Sequence, residues 1–246
     1  MVKGLYTAYT GMVNEQNRMD IMTNNLANAS TVGYKKEGST SQSFNDVLTV
    51  KIKDQSVGMR NVQKIGIKNP GVKIGENYTD YTQGSFRITD NTYDLALAGD
   101  GFFAIEFTNK AGETDTKYTR AGQFTLNKDG YLVTEEGDYV LDTQNRTDDG
   151  TIYQNDQAVA RIQVTDFEDY DYLEKYGETY YQPIEGAKTT TADAQVKSGY
   201  LEMANVQIVS EMVNLISITR AYESNQKVVQ TIDGTLDVAA NQIGKL

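Results

Sequence analysis

Residues 201–246 read LEMANVQIVSEMVNLISITRAYESNQKVVQTIDGTLDVAANQIGKL and contain no proline. In alternating steps of three and four, Leu201, Ala204, Ile208, Glu211, Leu215, Ile218, Tyr222, Asn225, Val229, Ile232, Leu236, Ala239, Ile243 and Leu246 form one stripe. Only Glu211 and Asn225 in it are polar. A 3.5-residue period sustained this long is the pattern of a coiled-coil seam. A continuous helix over this stretch would run roughly 65–70 Å at about 1.5 Å per residue. The rest of the chain makes a body only about 30–40 Å across. Such a helix cannot hide its seam on its own domain, so its partner lies elsewhere in the chain, in other copies, or in both. A seam Asn costs stability but sets register and partner choice. Asn225, with Glu211, is therefore a candidate register position, the alternative being an exposed edge at a local irregularity.

The other end of the chain repeats the pattern. Leu5, Ala8, Met12, Glu15, Met19, Met22, Leu26 and Ala29 step by three and four with only Glu15 polar, and Gly33 is placed as a helix stop. One such segment reads as an ordinary amphipathic helix on a globular core. Two at opposite ends with a shared period predict a seam between them. Its expected residues are Leu5, Met12, Met19, Met22 and Leu26 with Leu215, Ile218, Tyr222, Asn225, Val229, Ile232 and Leu236.

Residues 34–75 have no sustained period and are too long for an ordinary connector, which predicts an extended arm or a functional loop. From about 78 to 200 the pattern changes to short apolar runs such as Phe102–Phe107, separated by turns. Asp-Gly recurs at 100–101, 129–130 and 149–150, the dipeptide of tight hairpins. Many of the 17 tyrosines fall here, as pleated surfaces favour. The expected fold class is α+β, with long terminal helices forming a coiled-coil-like domain around an inserted antiparallel, mainly β domain. The expected divisions are 1–34, N-terminal helix; 35–77, linker or arm; 78–200, β-rich outer domain; and 201–246, C-terminal helix.

Composition narrows the chemistry. With 23 basic and 34 acidic residues the net charge is −11, which argues against a broad nucleic-acid or anionic-membrane surface. The absence of Cys and His removes thiolate chemistry, the commonest catalytic base and the commonest zinc ligand. No apolar run of about 18 residues marks a membrane span, and the N-terminus lacks the apolar core of a cleavable signal.

Three local patterns read as turns or solvated loops. Gly99-Asp100-Gly101-Phe102-Phe103-Ala104 has dinucleotide-type spacing, but a strand-like run follows where that fingerprint needs a helix. Asn145 to Asp156 resembles a calcium loop without its first acid or last glutamate. Asp166, Glu168, Asp169, Asp171 and Glu174 offer carboxylates for glycoside hydrolysis, but nothing in the sequence sets their separation. No catalytic, metal or cofactor site is expected.

Four stretches, taken together, resemble the axial family of bacterial flagellar rod and hook proteins. They are Asn24–Lys35, with Asn24, Asn25, Asn28, Gly33 and Tyr34; Tyr81–Phe86 leading to Asp94–Phe103; Tyr118–Phe124 with Asp129–Val133; and Gly199–Val206 followed by Glu211–Val213 and Arg220–Lys227. They span the chain in the family's order. Ala204 stands where the family usually has Ser, and residues 142–195 match little.

The resemblance implies a rod subunit, distal-type or at the proximal–distal junction, that pairs its terminal helices and stacks them with other copies and other rod or hook subunits. It implies export by the flagellar type III apparatus, with Phe44 and Leu48 in a Phe-x-x-x-apolar motif. From charge and composition, no nucleic-acid partner and no direct membrane insertion are expected. A hook-type subunit, a secreted carboxylate enzyme acting on cell-wall glycan, and an adhesin are the alternatives.

Overall fold

The structure, a computed structural model, describes residues 2–52, 62–109, 112–141, 162–192 and 194–243. The fold is α+β: an N-terminal helix, a mainly antiparallel β region and a C-terminal helix. The chain divides into two compact units.

The first unit comprises Met1–Leu26, Glu37–Thr79 and Ile208–Leu246. Helix α1, Val2–Ala27, carries two stripes. Leu5, Met12, Met19, Met22 and Leu26 are half-buried along one. Thr10, Asn14, Ile21 and Asn25 are buried along the other. This second stripe is mostly polar because it meets backbone and small polar groups. Asn14 Oδ1 accepts from Ser41 Oγ at 3.0 Å, and Thr7 Oγ1 donates to Pro70 O at 3.0 Å. Asn25 accepts from Glu37 N at 2.9 Å and donates to Glu37 O at 2.7 Å, satisfying both groups at the start of a strand.

Residues 35–77, expected as a linker or arm, carry four strands. Glu37–Ser43 pairs antiparallel with Val72–Thr79, and Val47–Ile52 with Val62–Lys68. Periodicity misses the first of them because Thr40–Ser43 are exposed, so no alternation is imposed there.

Helix α2, Ile208–Val238, begins later than the expected Leu201, and a π turn, Ala239–Ile243, ends the described chain. Leu201 and Ala204 keep the helical spacing yet lie outside the helix. Tyr200–Glu202 is a strand, with Leu201 paired to Arg87 and Glu202 to Phe86. The tertiary ladder overrides the local period there, because Leu201 and Glu202 are both buried by it. Leu246 lies outside the described residues.

The second unit comprises Ala27–Lys36 and Asp80–Gln207. Its largest sheet is antiparallel, and the strand Phe102–Thr108 pairs with Thr114–Thr119, Tyr139–Val140 and Val164–Phe167. Alternation along this strand sends Phe103 and Ile105 into a cluster with Leu95, Leu97, Phe124, Leu132 and Val140. Phe102 and Ala104 join Tyr118, Phe167, Leu173 and Tyr181 on the other side. Both faces are covered, which is why the sequence there is a continuous apolar run rather than an alternating one. Each fully buried Phe contributes roughly 1.5–3 kcal/mol. The hairpin joining Phe124–Leu126 to Leu132–Thr134 turns at Gly130, whose φ of 86° lies in the left-handed region.

Candidate functional site: a buried ionic junction and two helix stripes

The segment after α1 and the segment before α2 meet inside the second unit. Gly33 N donates to Glu202 O at 2.8 Å, and Val32 bridges Met203. Gly33 has a φ of 70°, and a Cβ there would collide with the backbone nitrogen of Ala121. Only glycine fits both the conformation and the approach. This strain-free turn delivers Tyr34 and Lys35, each 1% exposed, into the interior.

Lys35 Nζ donates to Glu202 Oε1 at 2.8 Å and to Thr82 O at 2.8 Å. Glu202 Oε1 also accepts from Gly84 N at 2.9 Å, and Oε2 accepts from Arg120 Nη1 at 3.2 Å. All three charged side chains are 2% exposed or less. Two cations thus share one carboxylate away from water. Burial pushes the Lys35 ammonium below its ordinary value, and the facing Glu202 carboxylate works against that shift. Arg120 lays its guanidinium 5.3 Å from the Phe102 ring centroid, while its Nε has no hydrogen-bond partner among the described residues. Asn205 closes the junction: Oδ1 accepts from Lys36 N at 2.7 Å and Nδ2 donates to Asp80 O at 2.7 Å.

The junction draws on all four stretches that carry the family resemblance, through Gly33 to Lys35, Thr82 and Gly84, Arg120, and Glu202 with Asn205. Both carboxylate oxygens and the backbone oxygen of Glu202 accept from internal donors, so the arrangement ties distant chain segments together.

Of the signature residues, Asn24 is exposed and Asn25 is buried against Glu37. Asn28 is buried, its backbone and side-chain oxygens accepting from Thr31 in the turn that ends α1. In the first unit the α2 stripe is the more buried face of that helix. Glu211 and Ile218 are buried, and Leu215, Tyr222, Asn225, Val229, Ile232 and Leu236 are half-buried. Glu211 lies in the first turn of α2, where the positive end of the helix dipole favours a carboxylate. A Cβ at Gly11 would lie 2.9 Å from Asn225 Nδ2, and one at Gly4 would lie 3.5 Å from Ile232 Cδ1. These approaches place the two helices antiparallel and set Asn225 over a residue without a side chain.

Phe44 is half-buried, its ring centroid 6.4 Å from that of Tyr6, and Leu48 is exposed on its strand. Among the acidic residues, Asp166 Oδ1 accepts from Tyr170 Oη at 2.8 Å and Asp169 caps a short 3-10 turn. Glu168 makes an exposed pair with Lys188 at 3.5 Å. The strand Phe102–Thr108 follows Gly101, so no helix N-terminus is present for a dinucleotide. The calcium-like loop at 145–156 and the Asp-Gly pair at 149–150 lie outside the described residues. No described helix is long and apolar enough to cross a membrane.

Three family models match the chain in order. They describe a flagella basal body rod protein over residues 5–35, a flagellar hook protein FlgE/F/G D1 domain over 96–170, and a flagellar basal body rod FlgEFG protein C-terminal region over 197–243. The chain is 32% identical to the flagellar basal-body rod protein FlgG of Bacillus subtilis, the alignment covering 98% of this chain and 99% of that protein. It is 34% identical to the flagellar basal-body rod protein FlgG of Caulobacter vibrioides over 97% of this chain and 98% of that one. It is 31% identical to the flagellar hook-basal body complex protein FlhO of B. subtilis over the whole of both. With relatives matched from end to end and models at both helices and the β region between them, the chain belongs to the flagellar basal-body rod protein family.

Proposed function

We propose that this chain is a non-enzymatic structural subunit of the bacterial flagellar basal-body rod, the shaft that carries torque from motor to hook. The observation that carries the reading is the pair of terminal helices, 26 and 31 residues long, whose apolar residues are only partly covered by their own chain. Such helices stabilise themselves by packing on one another and on further copies.

In this reading α1 and α2 form a paired, coiled-coil-like seam completed by neighbouring subunits, other copies or other rod and hook proteins. Glu211 and Asn225 set its register. The β unit supplies lateral spacing, and the Lys35–Glu202–Arg120 junction holds the two points where the chain leaves that unit for its helices. Axial stiffness comes from continuous helix and torsional stiffness from the seam. The chain reaches its site through the flagellar type III export apparatus, with Phe44 and Leu48 read in the unfolded chain. Its net charge of −11 supports protein partners rather than nucleic acid, and the subunit does not insert into the membrane.

Deleting the coding sequence and restoring it tests this. A rod subunit predicts non-motile cells whose basal bodies lack hooks, with both defects reversed on complementation. Normal hooks in the deletion strain contradict it.

A further inference from the structure

Residues 168–188 leave the large sheet and return to the place they left. Glu168 N donates to Lys188 O at 3.2 Å, and the two side chains make the exposed pair at 3.5 Å. Between those ends the segment holds itself together. Leu173–Tyr176 pairs with Tyr180–Pro183, and Ile184 N donates to Tyr172 O at 2.9 Å. Its ladder to the rest of the sheet is short: Tyr180 pairs with Thr119 and Tyr181 with Tyr118, and Leu173–Tyr176 is the outer edge. A self-contained hairpin with a narrow base and a short ladder is the kind of unit that opens as one piece.

The inner face of this segment covers the ionic junction. Leu173 and Tyr181 are buried in the cluster around Phe102. The rings of Tyr170 and Tyr181 lie 4.8 and 5.5 Å from that of Tyr81, and 6.1 and 5.3 Å from that of Phe102. Phe102 is the ring beside the Arg120 guanidinium, and Tyr81 precedes Thr82, whose carbonyl takes the Lys35 ammonium. The far end of the segment is fastened by single polar contacts. Lys175 Nζ lies 4.2 Å from the Tyr34 ring centroid, and Lys117 Nζ lies 2.8 Å from that of Tyr176. Tyr180 Oη donates to Glu136 Oε2 at 3.2 Å, and Thr119 Oγ1 donates to Thr179 O at 2.9 Å. Residues 142–195 carry little of the family pattern, yet this part of them closes over Tyr34, Tyr81, Phe102 and Thr119, from three of the four stretches that do.

We propose that residues 168–188 are a strap whose closure keeps water from the Lys35–Glu202–Arg120 cluster. Charges attract far more strongly out of water than in it, so the cluster grips only while the strap is shut. The strap opens about its base at Glu168 and Lys188 before the sheet unfolds. The hold of Gly33–Lys35 on Glu202–Met203 then loosens with it. Such a device makes the fixing of both chain crossings conditional on one surface hairpin. It goes beyond the rod reading and does not depend on it.

Amide exchange of the purified full-length chain compares three sets of N–H groups. They are the Tyr180–Tyr181 ladder, the junction donors Gly33, Lys36 and Gly84, and the core strand at Phe103 and Ile105. Tyr176→Ala removes a ring whose contacts, Phe107 and Lys117, lie outside the junction. Exchange is expected to rise about tenfold at the ladder and at the junction together, the size of one cation–π contact, with the core strand unchanged. A second variant, Thr119→Cys/Tyr180→Cys, joins antiparallel ladder partners within disulfide reach in a chain that has no other cysteine. Its oxidised form is stapled shut and is expected to exchange more slowly at Gly33, Lys36 and Gly84 than its reduced form. That comparison decides the matter even where Tyr176→Ala does not fold. A faster ladder with an unchanged junction overturns the proposal. So does a rise shared by Phe103 and Ile105, or a staple that leaves the junction unaffected.

Discussion

Lys35 and Glu202, 167 positions apart in sequence, form an ion pair of 2.8 Å with each side chain 1% exposed. Arg120 makes this a cluster of two cations on one carboxylate, so the three members are not equivalent. Glu202→Gln leaves both cations buried without their anion. Loss of one partner from a buried pair costs about 3–5 kcal/mol. Lys35→Met leaves a neutral Glu202–Arg120 pair and is expected to cost markedly less. Urea unfolding of the two variants compares them directly, and equal losses would contradict the charge argument.

Gly33→Ala is expected to be destabilising despite adding one methyl group. Its φ of 70° and the backbone of Ala121 leave the methyl no room. Strain of this kind costs on the order of 1–3 kcal/mol, visible as a lowered midpoint of thermal unfolding. An unchanged midpoint would show that the turn relaxes freely.

Asp138 provides a pH test in the β unit. Burial raises its carboxyl above the ordinary 3.8, the neighbouring Glu136 adding to the shift, while the Thr108 N–H and Lys117 oppose it. A raised folded value means that the folded state binds the proton more tightly than the unfolded one. The associated stabilisation is complete below 3.8 and is lost as pH rises through the folded value. Asp138→Asn keeps the neutral form at every pH. It is therefore expected to be more stable than the native chain at pH 7 and to converge with it in acid, as read from urea midpoints at several pH values. A constant difference across the range would remove Asp138 as the titrating group.

Gly11→Val tests the register role assigned to Asn225. The added side chain enters the space where a Cβ already lies 2.9 Å from Asn225 Nδ2. Motility on soft agar should be lost, while unfolding of the β unit is unchanged, because Gly11 belongs to the other unit. Retained motility would show that the close approach is dispensable.

In dilute monomer, amide exchange should divide along the same line. Helices that leave Val209 and Val213 exposed have little to hold them and should exchange fast, whereas Phe103 and Ile105, both fully buried, should exchange slowly. Strong protection of both helices in the isolated chain would mean that they need no neighbour.

The α+β class was legible because two local signals are strong: stripes of period 3.5 at both ends, and the run Phe102–Phe107 buried on both faces of its strand. The start of α2 was not. Leu201 and Ala204 fit the helical period by spacing alone, and the ladder to Phe86–Ile88 that claims Leu201 is a long-range contact no local period encodes. The strand Glu37–Ser43 was missed because exposure of Thr40–Ser43 leaves no alternation to read. The ionic junction was invisible for a different reason. Lys35, Arg120 and Glu202 each look like surface residues in their own neighbourhoods, and only folding brings them together. The available hint was that Lys35, Arg120 and Glu202 each fall within a separate family-like stretch. The polar stripe Thr10, Asn14 and Asn25 had a local hint too, in its helical spacing of buried-type polar residues beside the apolar one.

The central claim is that this chain is part of the rod itself. Immunogold labelling of purified hook–basal bodies with antibodies to the β unit addresses it most directly. The account predicts gold along the rod between the membrane-embedded rings and the hook, and none on basal bodies from a deletion strain. Label confined to the filament tip or the cell surface, with unlabelled rods, would contradict it.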